Sequence, residues 1–150
     1  MTITFCGHAD FCGNESFEEK IISVLREKMP DEIFLGGYGA FDGFAYNCSQ
    51  KYKKSEAPSL RICLITPYLD AEHKKGLARD VEYDDSIYPP LENVPPRFAI
   101  SRRNEWTVDN ADCLIAFVER SFGGAYKTLK YAEKRKKEII NIAQICEMCR

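Results

Sequence analysis

Two stretches of the chain bring glycine to the start of a helix: GGYGAFD, Gly36 to Asp42, and SFGGAYKT, Ser121 to Thr128. Glycine at such a corner either serves a tight turn or lets bare backbone approach a ligand, most often a phosphate. A helix N-terminus offers unpaired N–H groups and the positive end of a dipole, so the chemistry in question is anion binding. Gly36, Gly37 and Gly39 form the first cluster, and Gly123 and Gly124 the second. A third corner, CGHADF, adds Gly7 and His8. One such corner is weak evidence; together they favour a phosphate-bearing ligand over turn geometry alone. The stretch SRRNEW supplies Arg102, Arg103 and Asn104. An arginine near glycine-lined loops can hold phosphate in a bidentate fork, and of two adjacent arginines on a helix only one faces a given site.

Two carboxylates stand near these corners. Asp42 closes the first cluster, where an acid commonly accepts hydrogen bonds from a ribose or base, and Glu119 precedes the second. His8 is either a hydrogen-bond donor to a ligand or a solvated loop side chain. Metal chemistry has little to stand on. Cys146-x-x-Cys149 has the spacing of half a zinc site, but no second such pair exists and His8 and His73 are remote in sequence. We expect no metal and no cofactor. The seven cysteines are odd in number, and Cys6, Cys63 and Cys113 sit inside apolar runs, so those three read as core packing rather than disulfide partners.

The elements that must position these residues alternate. Ile3 to Cys6, Glu32 to Leu35, Leu60 to Thr66, Asp112 to Val118 and EIINIA read as strands. SFEEKIISVLREK reads as a helix with Ser16 and Glu19 at capping-box spacing, and its face carries Phe17, Ile21, Val24, Leu25 and Lys28. Further helices are expected from the glycine loop to about Tyr52, over Ala99 to Asn110, and after Gly124. Between Pro67 and Pro96 the pattern dissolves into a loop-rich insertion, with a short helix expected near Ala71 to Asp80. Strands alternating with helices imply right-handed crossovers, so the expected fold is α/β: a single Rossmann-like three-layer sandwich with a mainly parallel central sheet. Ligands of such sheets bind beyond the carboxyl ends of the strands, where all three glycine corners fall.

Composition bounds the rest. The 150 residues suit one domain, 45% hydrophobic and 29% charged, with a net charge of −2. No apolar run approaches the roughly 20 residues of a membrane span. The start MTITFCGHAD lacks the pattern of a secretory signal, so a cytoplasmic protein is expected.

In order and spacing these pieces resemble the SLOG superfamily, the Rossmann-like group that holds the DNA-processing protein A fold and the LOG-type phosphoribohydrolases. The carrying segments are FCGH, GGYGAFDGFAYNC, FAISRRNEWTVDNADCLIAFV and GGAYKTLKYAEKRKKEI, which span about Thr2 to Ile142. The stand-alone bacterial and phage branch is most similar. The resemblance implies a nucleotide-binding site made of Gly7 and His8, of Gly36, Gly37, Gly39 and Asp42, of Arg103 and Asn104, and of Gly123, Gly124 and Thr128. Related first loops often place an arginine after Gly-His; here the residue is Ala9, and that cationic contact is missing.

Enzymes of this group cleave N-glycosidic bonds and need a carboxylate beside the developing ribosyl cation. In the LOG-type enzymes a glutamate follows the last glycine loop on the helix's first turn, whereas Leu129, Lys130 and Tyr131 follow Thr128 here. The acid that deoxyribosyltransferase relatives carry four residues before a helical alanine is Thr128, before Ala132. Intact loops without a catalytic acid point to a binding module that senses or sequesters a nucleotide or an NAD- or ADP-ribose-derived small molecule. The alternative is a nucleotide N-glycosidase or phosphoribohydrolase using Asp42 or Glu119. Single-stranded DNA ranks last: the basic run from Lys127 to Lys137 reads as a solvated helix face, and the acidic VEYDD would repel a phosphate backbone. Nucleic acid is therefore not an expected partner. A homodimer is, from the aromatics Tyr68, Tyr83 and Tyr88 of the insertion.

Overall fold

A run of apolar residues that forms a strand must be covered on both faces, as CLIAF at 113–117 and ICLI at 62–65 require. The computed structural model describes residues 1–68 and 82–143. Within them β1 (Thr2–Gly7), β2 (Glu32–Leu35), β3 (Arg61–Ile65), β4 (Asp85–Ile87), β5 (Cys113–Phe117) and β6 (Glu138–Asn141) form one sheet of order β4-β3-β2-β1-β5-β6. Every neighbouring pair is parallel. The helices α1 (Glu15–Lys28), α2 (Ala40–Glu56), α3 (Ala99–Asp109) and α4 (Gly124–Lys134) connect them. The fold is a single Rossmann-like α/β domain, with α1 packed on α2 and α3 on α4.

Alternation along the central strand sorts the core into two layers. Ile3 and Phe5 join Ile21, Leu25, Phe41 and Ala45 from α1 and α2. Cys6, one residue along, joins Val108, Leu129 and Ala132 from α3 and α4. Cys6, Cys63 and Cys113 are all buried, as their apolar setting implied. Burial pushes the Cys6 thiol up to about 12, so it packs as a neutral side chain.

Local chemistry adjusts several expected boundaries. Helix α1 starts at Glu15, not at a Ser16 cap: Asn14 is the N-cap, and its side chain accepts from Phe17 N at 2.9 Å. Asparagine is among the strongest caps, so it captures the helix start. Helix α2 runs past Tyr52 to Glu56, because nothing breaks it until Pro58 biases Ala57 out of the helical region. Strand β4 was not anticipated. Its three residues, DSI, carry no apolar run, and only pairing to β3 defines it. The helix expected near Ala71 to Asp80 and the Cys146/Cys149 pair lie outside the described residues. Among the described residues, no helix is long and apolar enough to cross a membrane. Tyr68, Tyr83 and Tyr88 are half-buried rather than exposed, Tyr83 against Tyr46 with ring centroids 5.3 Å apart, so they do not form the open aromatic surface invoked for a dimer.

Candidate functional site

The loops leaving β1, β2 and β5 meet the start of α3 around a cleft of about 570 Å³. Of the residues expected at a ligand site, Gly37, Gly39 and Glu119 do not line it; the others do. Tyr38, Ile100, Arg120 and Phe122 also line it, and sequence reasoning had not singled them out.

The first glycine cluster is already occupied from within. Asp42, on the first turn of α2, turns back so that its Oδ2 accepts from Gly36 N and Gly37 N, both at 2.9 Å. Tyr38 N–H bonds the same carboxyl group. An added Cβ on Gly36 would lie 3.0 Å from Arg103 Nη1 and 3.1 Å from Asp42 Oδ2. Gly36 is therefore glycine to let a buried acid and a buried base approach one another across it. Gly37 and Gly39 take φ of 82° and 89°, a region that favours glycine. This cluster is a turn built round its own anion, not an open cradle.

Arg103 is the inward member of the arginine pair, 7% exposed, while Arg102 points outward to Glu105. Arg103 donates through Nη1 to Ile65 O at 2.9 Å and Gly36 O at 3.4 Å, and through Nε to Asn104 Oδ1 at 2.8 Å. It ties the β2 and β3 loops to α3. Burial raises the Asp42 carboxyl to about 6, against the lowering pull of Arg103 and the backbone donors. A carboxyl whose folded pKa lies above its unfolded one stabilises fully at low pH and loses that contribution as pH rises through the folded value. Between about pH 4 and 6 we therefore expect Asp42 to withdraw up to about 3 kcal/mol. Thermal melts across that range should show wild type losing stability relative to Asp42→Asn; parallel profiles would contradict the assignment.

His8 is buried, and its Nε2 accepts from Glu119 N at 3.1 Å. The imidazole is thus neutral at that nitrogen and joins the β1 and β5 loops; burial and the Arg120 charge both lower its pKa. The same two loops are bridged by Arg120 donating to Asp10. Arg120 brings a cation to the first loop, where Ala9 stands in place of arginine.

The second glycine cluster differs from the first. Gly123, at φ 93°, is the N-cap of α4, and no side chain caps the helix. A Cβ added at Gly123 or Gly124 would meet nothing within 4 Å. Packing does not require glycine at 124, and its backbone conformation lies outside the left-handed region. The Thr128 hydroxyl donates to Gly124 O at 3.0 Å, within the helix. The bare end of α4 therefore opens into the cleft. Of the two candidate acids, Glu119 lies off the cleft and Asp42 is engaged by three N–H groups.

This α/β fold is shared with a solved protein. No family model matches the chain, and no curated protein matches it. DNA processing protein A from Helicobacter pylori, in a structure describing its single-stranded DNA binding mode, aligns with a TM-score of 0.59 and 14% identity. The alignment covers 93% of this chain and 63% of that one, so this chain spans under two thirds of its length. The neighbour's ligand overturns two expectations: that a free nucleotide or ADP-ribose derivative, with its glycosidase alternative, ranks first, and that nucleic acid is not a partner. The physical reason lies in what each was read from. Asp84 and Asp85 of the acidic VEYDD, expected to repel a phosphate backbone, pair with Lys53 and Arg61 and do not line the cleft; and the loop taken for a nucleotide cradle is closed by Asp42.

Proposed function

We propose that this chain binds single-stranded DNA in the cleft, holding a backbone phosphate at the start of α4, as a relative of the DNA-processing branch of the SLOG group. The observation that carries the reading is the uncapped N-terminus of α4, where Gly123 and Gly124 leave open space facing a concave site. Unpaired N–H groups and the helix dipole favour an anion there. Lys127, exposed on the first turn, and Arg97, exposed just before α3, have no ion-pair partner among the described residues and can meet neighbouring phosphates. The fold likeness to a single-stranded DNA-binding protein supports the same class of ligand.

Fluorescence anisotropy with a labelled oligonucleotide tests it. Wild type should bind, with affinity falling as salt rises, since log K drops by about 0.7 per phosphate neutralised for each log unit of salt. Gly124→Val should weaken binding about tenfold or more while leaving the melting temperature nearly unchanged, because its side chain enters empty space. Gly36→Val should instead destabilise the fold by crowding Arg103 and Asp42. Absence of oligonucleotide binding at low salt, or full binding by Gly124→Val, would overturn the assignment.

A further inference from the structure

Single exposed hydrophobic residues are common and need no explanation. Their distribution here does. Among the described residues the exposed large hydrophobics are Met1, Met29, Tyr38, Phe98, Ile100 and Phe122. Met1 begins the chain and Met29 is the left-handed C-cap of α1, so both have local reasons to be outside. Tyr38, Ile100 and Phe122 come from three different elements and line the same cleft, and Phe98 lies two residues before Ile100. Phe122 is the most exposed of these four at 67%, immediately before the bare glycine pair. The Arg120 guanidinium lies 5.5 Å from its ring centroid, which leaves most of the ring open.

We propose that Phe122, with Tyr38, forms a stacking rim for bases of the bound strand, so that the cleft takes a single strand with unpaired bases and not a duplex. This rests on the DNA-binding reading above. A phosphate held at the start of α4 sets the adjoining nucleotide beside Phe122, one residue away in the chain. Every base has a π-face, so such a contact tolerates any sequence, whereas a duplex keeps its bases stacked on one another and offers none. Arg120 adds to the platform. Its exposed ion pair with Asp10 is weakly held in water, so the guanidinium is available to the same nucleotide.

The test compares an oligothymidylate, a fully abasic strand of equal length and phosphate count, and a duplex, by anisotropy at fixed salt. Wild type should bind the intact strand about tenfold or more tightly than either of the others. Phe122→Ala should lower intact-strand affinity to the abasic level and leave abasic binding unchanged, while Phe122→Trp should retain the difference. Phe122 is exposed, so these variants should melt as wild type does. Equal binding of intact and abasic strands, or a ratio unaltered in Phe122→Ala, overturns the stacking rim alone. Failure of wild type to bind any strand overturns it together with the DNA-binding reading. Should Phe122 instead pack against a second copy, Phe122→Ala would shift the oligomeric state by light scattering without touching the ratio, and that result also overturns the rim.

Discussion

Arg103→Ala should cost about 3 kcal/mol of stability, from two carbonyls that lose a charged donor and a buried carboxyl that loses a nearby cation. Two effects combine. The substitution strips donors from Ile65 O and Gly36 O, and a buried acceptor left unpaired costs about 1–3 kcal/mol. It also leaves the Asp42 carboxyl, already pushed up to about 6 by burial, without the cation that partly offsets that burial. Denaturant unfolding would show a lower midpoint with an unchanged slope. A second readout separates charge from packing. In the Ala variant the Asp42 carboxyl should titrate higher still, so the pH-dependent loss of stability should move upward. Arg103→Lys should keep the titration near its original place while losing part of the stability, because an ammonium cannot reproduce the guanidinium's hydrogen bonds. A loss below about 1 kcal/mol in Arg103→Ala would mean that the three tied elements hold without it.

Gly7→Ala is the other large effect. The methyl group would sit 2.3 Å from Phe41 Cγ and 2.4 Å from Cδ1, distances no real contact allows. Phe41 cannot swing away freely: it is 1% exposed, with Phe11 in an edge-on contact at 5.1 Å and Phe5 at 6.3 Å. Overpacking a full core by one carbon costs about 1–3 kcal/mol, and a clash with a boxed ring belongs at the upper end. Combining it with Phe41→Leu checks the cause. That change alone should also destabilise, but in the double variant the smaller side chain makes room, so the combined loss should be clearly less than the sum. Additive losses would show that Gly7 matters for something other than the ring behind it. Gly7 thus resembles a ligand-loop glycine in sequence while serving the aromatic core in structure.

The order of strands and helices was legible because β5 is apolar throughout, β3 is apolar after Arg61, and β1 sets Ile3, Phe5 and Cys6 among its threonines, and such runs have few other uses. Strand β4 was not, since DSI has no pattern of its own and exists by pairing to Cys63, Leu64 and Ile65. The glycine corners were visible, but their separate tasks were not. Whether a loop N–H faces a ligand or the chain's own Asp42 depends on how one side chain folds back, which spacing does not reveal. Arg120 lay in plain sight within ERSFGGAYKT. Its importance comes from Asp10, 110 residues away in sequence. Phe122 read as one more aromatic until its exposure was known. The ligand class was misjudged for the related reason that VEYDD shows its acids but not that Asp84 and Asp85 pair with Lys53 and Arg61 away from the cleft.

The strand order has a consequence for how the molecule can be divided. In the sequence β4-β3-β2-β1-β5-β6, β1 alone joins the β2 side of the sheet to the β5 side. The pairing of Ile3 with Cys113 closes a loop spanning 110 positions, which carries about 4 kcal/mol of closure entropy beyond the constant term. One wall of the cleft, at Gly36 and Tyr38, belongs to the first side, and the other, from Arg120 to Thr128, to the second. Neither wall has a partner until that ring is closed. A fragment ending before Cys113 would hold all four strands that precede it in one continuous block, β4-β3-β2-β1, and still have no place for a ligand.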